Sequence, residues 1–452
     1  MSERAQRPRA IWALILSGSA LSLLVSFGLA TMSIVVGSVE GRWVYEYVEG
    51  LHRRPLEIWL VAVVLSVGAL VAVPLDSVRR HQWRSVLLWV ALAFVIQGLM
   101  RSASPHRLDV MFASDGSNSF YTPTLQYSAG TILRDFERIR PTLPTHARSN
   151  MPGKLMIVYA LEYVSTRPAI LAWLVIAVSN AGGILFYLFV RDVLADRVAA
   201  LVALMFYLFM PAKLFFYPIL NTVTPTVFLT FACLWLRAMQ TSRGAYAILA
   251  GVALYGLVCF EPLPLVMGVV CVALVAHWLW TGDLTARALL LKTSIIVTAF
   301  AATHAVMVVV WHFDLFAVFG QVAAEGVAFN AEVQRPYGIW VRQNLVDFFF
   351  GTGICQALLF IVAVGWAGVT WRAAVPGASL FLGIAAALVI VDLMGVNRAE
   401  VIRLWIFLAC FVQIPAAFVC AKPGSWIAVA LVLATTLLQD TVGTSMLNFG
   451  AP

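Results

Sequence analysis

The chain has 452 residues, of which 62% are hydrophobic and only 12% are charged. Soluble domains usually carry about a quarter charged residues. This composition therefore excludes an ordinary soluble enzyme, a disordered protein and a disulfide-rich secreted domain. The net charge of +8 is scattered between apolar segments, which argues against a nucleic-acid-binding protein. A multi-pass membrane protein is what remains.

A helix needs roughly 20 apolar residues to cross the hydrocarbon core of a bilayer. About thirteen segments of the chain meet this requirement, and together they predict an all-α polytopic membrane protein. The segments lie at 11–36, 57–74, 85–100, 168–190, 196–213, 220–237, 245–260, 262–281, 288–311, 346–370, 377–396, 401–420 and 425–441.

Basic residues in the short connections indicate the orientation. With the N-terminus inside, the cytoplasmic connections carry residues such as Arg84, Arg191, Arg237 and Lys422. We therefore predict a protein of the cytoplasmic membrane with its active site on the extracytoplasmic face. The predicted parts are N-terminal transmembrane helices at 1–100, an external catalytic loop at 101–167, and a transmembrane bundle at 168–452 with a second external loop near 312–345.

The first external loop concentrates the polar and charged residues. Asp115-Gly116 predicts a turn that exposes a carboxylate. The segment from Tyr121 to Phe136 predicts an amphipathic helix that lies on the membrane surface. For any single Asp in this loop, the alternative reading is a charge on a solvated surface.

A basic cluster follows in the same loop, around a Pro-Gly turn that precedes a helix beginning near Lys154. Its members are His146, Arg148, Asn150 and Lys154. Guanidinium, ammonium and the free N–H groups of a helix N-terminus all favour a phosphate. A carboxylate and a phosphate site at the level of the lipid headgroups are what transfer from a lipid phosphate requires.

Four segments spread over most of the chain resemble the GT-C superfamily of membrane-integral glycosyltransferases, which use polyprenyl-phosphate sugars as donors. SDGSNSFY is similar to the acidic motif of the first external loop, and LPTHARSNMPGK to the His-Pro-Pro-Gly stretch before the next helix. PAKLFFYPILNTVTPTVF resembles a re-entrant Pro-rich corner, and NRAEVIRLWIFL a late Gly-Glu-x-x-Arg-like motif at a helix mouth. The chain departs from the pattern at Asn150-Met151, and at Asn221, where an Asp is common.

This resemblance implies an inverting glycosyltransferase, similar to mannosyl- and arabinosyltransferases of the cell envelope. The donor would be a polyprenyl-phosphate-linked sugar and the acceptor a glycan, lipid or protein. Asp115 is the expected general base, with Asp109 as the alternative. The residues expected to bind substrate or phosphate are His146, Arg148, Lys154, Asn221, Glu400 and Arg403. Membrane lipids are the other expected partners, and we expect no cofactor, metal or nucleic acid.

Several interpretations stay open from the sequence. Glu400 and Arg403 lie three residues apart, and the pair can simply lock a helix. Trp340 is expected in an interfacial aromatic belt, with a sugar-binding wall as the alternative. The rival functions are a lipid-linked glycan ligase or polymerase and a lipid or solute transporter. Transport is less favoured because only Asp392 lies clearly deep in a predicted span.

Overall fold

The computed structural model describes residues 3–48, 54–371 and 377–450. In these ranges the only sheet is an antiparallel hairpin of β1 (Gly37–Ser38) and β2 (Trp43–Val44). The helices, in chain order, are α1 (Glu3–Ala30), α2 (Pro55–Ala72), α3 (Leu75–Arg80), α4 (Gln82–Arg101), α5 (Leu108–Ala113), α6 (Thr122–Gln126), α7 (Ala129–Ile139), α8 (Thr145–Arg148), α9 (Gly153–Glu162), α10 (Pro168–Leu194), α11 (Arg197–Leu208), α12 (Pro211–Phe216), α13 (Thr224–Gln240), α14 (Gly244–Phe260), α15 (Gly268–Thr281), α16 (Ala286–Trp311), α17 (Leu315–Glu332), α18 (Tyr337–Thr352), α19 (Ile354–Thr370), α20 (Ala378–Met394), α21 (Val401–Leu404), α22 (Ile406–Ala421) and α23 (Trp426–Met446). Three 3₁₀ turns accompany them at Arg140–Thr142, Leu220–Val223 and Leu263–Met267.

The helices confirm an all-α polytopic membrane protein. Within the described ranges, nine helices are long and apolar enough to cross a membrane. The bent pair α18 and α19 passes the same test together, and α14, α20 and α22 are shorter apolar helices. Each of the predicted spans overlaps one of these elements. Apolar length is a local property of the sequence, which is why it predicts the spans so directly.

The predicted span at 346–370 is not one straight helix. The chain bends by 111° between α18 and α19, at Gly353. Gly353 has a φ of +102°, a conformation that an L side chain rarely adopts. A Cβ there would also lie 2.5 Å from the side-chain oxygen of Gln356. The break therefore depends on a glycine at this position.

The amphipathic helix predicted from Tyr121 to Phe136 is divided into α6 and α7. Ser128 caps α7, since its hydroxyl accepts a hydrogen bond from the Thr131 N–H. Ile132 and Phe136 were expected to face the membrane, but both are buried in a hydrophobic core of the protein. The prediction of helical structure in this segment is confirmed, but the apolar side of α7 packs against other parts of the protein.

The second predicted external loop is largely helical. α16 ends at His312, which has the left-handed φ of +53°. Asp314 then caps α17 by accepting hydrogen bonds from the N–H groups of Phe316 and Ala317. The segment near 312–345 thus consists mainly of α17 and the first half of α18.

Contacts divide the described residues into two units that interleave along the chain. Unit 1 is formed by Met1–Pro105, Gly183–Tyr217 and Arg335–Phe449, and unit 2 by His106–Gly182, Pro218–Gln334 and Gly450–Pro452. The three parts predicted from the sequence, in contrast, are consecutive segments of the chain. The candidate residues of the first predicted external loop and Asn221 belong to unit 2, whereas Glu400 and Arg403 belong to unit 1.

Each unit has its own apolar core. In unit 1 every residue from Ala199 to Leu208 of α11 is buried, and α11 packs along α22. In unit 2 the core joins the segment 106–167 to the helices of the same unit, with Ile132, Leu155 and Phe260 among its buried members. Helices that are apolar on all sides are buried in this way in large or membrane-embedded proteins. The unit 2 core fixes the position of this segment.

Candidate functional site

In unit 2, a tight turn presents Asp115. The Ser114 hydroxyl accepts hydrogen bonds from the N–H groups of Gly116 and Ser117, at 3.1 and 3.0 Å. Asn118, which is fully buried, donates its amide to the Phe112 carbonyl at 2.9 Å. Serine and asparagine commonly fold a turn by such local bonds. The turn predicted at Asp115-Gly116 is therefore present, and Asp115 is exposed on it.

The two aspartates considered as the general base have different surroundings. Asp115 is exposed, and no hydrogen-bond or ion-pair partner for its carboxylate occurs among the described residues. Asp109 instead accepts two hydrogen bonds from the Arg107 guanidinium, at 3.0 and 2.8 Å. A bidentate pair of this kind occupies both oxygens of the carboxylate. Asp115 is the one of the two that is open to another molecule.

The turn that carries Asp115, residues 114–119, is called the acidic turn. It contacts two other segments of unit 2 that were singled out in the sequence. The Ser119 hydroxyl accepts a hydrogen bond from the N–H of His146 in α8, at 3.3 Å. The Asn118 side-chain oxygen accepts one from the Leu220 N–H at 3.4 Å, which holds the 3₁₀ turn that contains the buried Asn221. The structure thus brings Asp115, His146 and Asn221 to one region of unit 2.

Lys154 lies in a buried ion pair at the start of α9. Its ammonium is 3.2 Å from a carboxylate oxygen of Glu261, and both side chains are more than nine-tenths buried. The ammonium also donates to the Asn150 side-chain oxygen at 2.9 Å, while Glu261 accepts a hydrogen bond from the Thr224 hydroxyl at 2.6 Å. The ring centres of Phe120 and Phe260 both lie within 6 Å of this ammonium.

Gly153 permits this pair to form. A Cβ at Gly153 would lie 2.5 Å from the Cys259 carbonyl oxygen and 2.6 Å from the Cα of Phe260. Only glycine allows α9 to approach the end of α14 so closely. The predicted Pro-Gly break at 152–153 is therefore confirmed, and its reason is backbone packing next to Glu261.

Arg148 is engaged by an acidic residue of α17. Its guanidinium lies 2.9 Å from one oxygen of Glu325, and the guanidinium of Arg140 contacts the other oxygen. Arg140 also donates to the Arg148 carbonyl oxygen at 3.1 Å. Two cations share one carboxylate, so the cluster keeps one excess positive charge. Arg148 remains about 44% exposed and is the accessible member.

In unit 1, Glu400 and Arg403 form the pair that their spacing predicts, and a third residue joins them. The Glu400 carboxylate contacts the Arg403 guanidinium through one oxygen and lies 3.2 Å from the Arg335 guanidinium through the other. All three side chains are at least 84% buried. Here too two guanidinium groups share one carboxylate, in a more enclosed place than the Arg148 cluster.

The backbone that carries Glu400 is strained. Ala399 and Glu400 have φ angles of +72° and +59°, which non-glycine residues adopt at a cost of about 1–3 kcal/mol each. The Ala399 N–H is held by the Asn344 side-chain oxygen at 3.3 Å, and Arg335 and Arg398 each donate to the other's carbonyl oxygen at 2.8 Å. The surrounding contacts therefore impose a conformation that sets the Glu400 carboxylate between two guanidinium groups.

Sequence reasoning did not single out the residues that surround this cluster. Trp43 of β2 stacks under Arg335, with 4.9 Å between the guanidinium carbon and the ring centre, and Tyr45 lies beside Trp43. Burial, and next the nearby carboxylates Glu400 and Asp347, raise the pKa of Tyr45 well above its usual value. The phenol therefore stays protonated and is a hydrogen-bond donor. In the sequence, the alternation Trp43-Val44-Tyr45 was the one pattern that could have drawn attention to these residues.

Trp340 is not in an aromatic belt. Its side chain is fully buried in unit 1, and its indole N–H donates to the Gly41 carbonyl oxygen at 3.0 Å. A Cβ on Gly41 would lie 2.9 Å from the indole ring, so the ring packs directly against this glycine. Trp340 supports the β1–β2 hairpin and offers no surface to a sugar.

Two deep ionisable groups of unit 1 were also missed, since only Asp392 was recognised as deep. Lys213 and Asp440 are completely buried, and neither the Lys213 ammonium nor the Asp440 carboxylate has a hydrogen-bond partner in the described part of the chain. The ammonium lies 3.7 Å from the ring centre of Tyr207.

Across the residues that the structure describes, no group of three or more His, Cys, Asp or Glu is arranged to hold a metal ion.

No protein-family profile matches the chain. No curated protein matches it. Among solved structures, the chain is similar to an archaeal oligosaccharyltransferase, AglB from Archaeoglobus fulgidus, solved in complex with an inhibitory peptide and a dolichol-phosphate. The two share 12% sequence identity with a TM-score of 0.47, over 88% of this chain and 56% of that chain. The chain thus spans little more than half the length of that protein.

Proposed function

We propose that this membrane protein is an inverting glycosyltransferase that moves a sugar from a polyprenyl-phosphate donor to an extracytoplasmic acceptor. In the reaction, an acceptor oxygen forms a bond to C1 of the sugar while the bond from C1 to the phosphate oxygen breaks. The acceptor hydroxyl proton passes to a carboxylate, and polyprenyl phosphate leaves with the bonding electrons. The configuration at C1 is inverted because a single displacement occurs.

The observation that carries this proposal is the state of Asp115. Asp109, Glu261, Glu325 and Glu400 are each held by a cation, whereas the Asp115 carboxylate is exposed without a partner among the described residues. A general base must reach the proton that it removes, so it cannot be occupied by a permanent ion pair. We assign Asp115 as the base, and the four segments that resemble the GT-C superfamily support the same reaction class.

The departing phosphate requires cations. We propose Arg403 for this contact, because its guanidinium lies in a buried cluster with a second guanidinium, that of Arg335. Arg148 is the second candidate, since it is the accessible member of the cluster around Glu325. His146 and Asn221 are proposed to contact substrate near the acidic turn. Lys154 and Glu261 are proposed to form a buried ion pair that stabilises the position of that turn.

The proposed orientation has a direct test. Single cysteines at Thr145, Ala328 and Ser242, all exposed positions, report three different connections. We expect a membrane-impermeant maleimide to label Thr145→Cys and Ala328→Cys in intact cells, but Ser242→Cys only after the membrane is opened. The unmodified chain is the control, because its six cysteines lie in apolar segments. The opposite labelling pattern contradicts an extracytoplasmic site.

The proposed reaction is tested with the purified protein in proteoliposomes. The donors are polyprenyl phosphates that carry radiolabelled mannose, glucose or arabinose, and membranes of the source cells supply the acceptors. We expect one donor to be consumed, with equal amounts of polyprenyl phosphate and of labelled glycoconjugate appearing. If the protein consumes none of the donors, glycosyl transfer from these lipids is wrong.

A transporter is the second candidate, and the buried Lys213 and Asp440 favour it. Ionisable groups within membrane helices are costly, and they often mark paths for ions or substrates. A transporter would carry a labelled lipid or solute across the proteoliposome membrane with its covalent structure unchanged. Movement of intact donor without release of polyprenyl phosphate would therefore favour transport over transfer.

A further inference from the structure

Three buried polar atoms of unit 1 without hydrogen-bond partners belong to residues of the β1–β2 hairpin region, which contacts the charge cluster through Trp43 and Arg335. They are the indole N–H of Trp43, the hydroxyl of Tyr45 and one carboxylate oxygen, Oδ2, of Asp347, and their lack of partners holds for the residues that the structure describes. The Tyr45 and Asp347 side chains are more than nine-tenths buried. Buried polar groups are nearly always hydrogen-bonded because leaving them unpaired is costly, so three of them together require an explanation.

The three atoms are held in place by contacts of their own residues. The other carboxylate oxygen of Asp347, Oδ1, accepts hydrogen bonds from the Gly37 N–H at 3.1 Å and from the Gln343 amide at 2.8 Å. These bonds tie the β1–β2 hairpin to α18. Ring packing holds Trp43 and Tyr45, whose centroids are 6.1 Å apart in an edge-to-face arrangement. Only the unpartnered atoms are left for another molecule.

The charge cluster is adjacent to these groups. Trp43 stacks against Arg335, Tyr45 packs edge-to-face against Trp43, and Asp347 is bonded to Gly37 of the same hairpin. Two donors and one carboxylate acceptor therefore lie near the guanidinium groups of the cluster. Hydroxyl groups on neighbouring carbons both donate and accept hydrogen bonds, and such a mixed set of partners suits them. The guanidinium groups suit an anion.

We propose that Trp43, Tyr45 and Asp347 form a subsite for the sugar hydroxyls of a glycosyl phosphate, with the phosphate at Arg335 and Arg403. This inference rests on the proposed function and goes further, since it assigns recognition of the sugar to the first connection of the chain, between α1 and α2. Asp347 accepts a hydrogen bond from one hydroxyl, and Trp43 and Tyr45 donate to hydroxyl oxygens. Such a subsite gives a glycosylated lipid hydrogen bonds that the bare lipid cannot make.

The variants Asp347→Asn and Tyr45→Phe test the subsite with little disturbance of the fold. Asparagine keeps an oxygen for Gly37 and Gln343 while replacing the free oxygen by a donor, and phenylalanine keeps the ring of Tyr45. Tyr47→Phe is the matched control, because the Tyr47 hydroxyl already donates to the Ile34 carbonyl oxygen at 2.6 Å. Binding to the full-length protein in nanodiscs is measured for polyprenyl phosphate, polyprenyl-phosphate mannose, glucose and arabinose, and neutral octyl glucoside.

We expect the wild-type protein to bind one glycosylated lipid more tightly than bare polyprenyl phosphate. Asp347→Asn should weaken that binding about tenfold or more and Tyr45→Phe about three- to tenfold, with bare polyprenyl phosphate and Tyr47→Phe unaffected. Wild-type binding without preference for a glycosylated lipid, or equal losses for both lipids, overturns the subsite alone. Equal competition by octyl glucoside overturns the glycosyl-phosphate assignment in favour of an acceptor sugar. Failure to bind either lipid contradicts the proposed function as well.

Discussion

Asp115→Asn is expected to reduce sugar transfer by a factor of about 10²–10⁴ while the protein still folds and binds its donor. Asparagine has almost the same shape but cannot take the proton of the acceptor hydroxyl. The side chain is exposed without a partner among the described residues, so its replacement removes no contact that stabilises the fold. Surface changes of this kind usually alter stability by less than about 0.5 kcal/mol. Single-turnover transfer rates and donor binding are the measurements.

Asp109→Asn is the matched control for this experiment. It lies in the same segment, and its carboxylate is engaged by Arg107, whose side chain is 80% exposed. Loss of an exposed pair costs at most about 1 kcal/mol, so a small effect on transfer is expected. If Asp109→Asn abolishes transfer and Asp115→Asn does not, the base is Asp109. If both variants transfer sugar at the wild-type rate, neither carboxylate is the base.

Lys154→Met is expected to destabilise the protein by about 3–5 kcal/mol, because it leaves the Glu261 carboxylate buried without its cation. The ammonium is 1% exposed, and Asn150 and Glu261 already occupy it. The double variant Lys154→Met with Glu261→Gln should recover much of this loss. The glutamine removes the unpaired charge and keeps an oxygen for the Thr224 hydroxyl. Chemical or thermal unfolding in detergent gives both values.

The same variants separate a structural role of Lys154 from contact with the donor phosphate. A structural role predicts that the double variant binds polyprenyl phosphate almost as tightly as the wild-type protein does. A direct phosphate contact instead predicts that Lys154→Met remains as stable as wild type but binds this lipid about tenfold or more weakly. Arg403→Gln is the comparison variant for weakened phosphate binding.

The sequence alone determined the features that depend on neighbouring residues. Each predicted span overlaps an apolar helix or the bent pair in the structure, because roughly 20 apolar residues in a row are the requirement for crossing a membrane. The turn at Asp115 and the break before Lys154 were also predicted from the sequence, since glycine, proline and serine determine the backbone conformation within a few residues. The pairing of Glu400 with Arg403 followed from helical spacing.

Only the tertiary structure decided which charges are occupied. Arg140 and Glu325 are 185 residues apart, Arg335 and Glu400 are 65 apart, and the bond from Gly37 to Asp347 spans 310 residues. Hydrophobic periodicity indicates that a side chain is buried or exposed, but it carries no information on its partner. For the same reason the sequence left Asp109 as an alternative to Asp115, and Tyr45, Asp347 and Lys213 were not recognised. A charge or polar group acquires its role from distant residues, because the free energy of burying it depends on which of them packs against it.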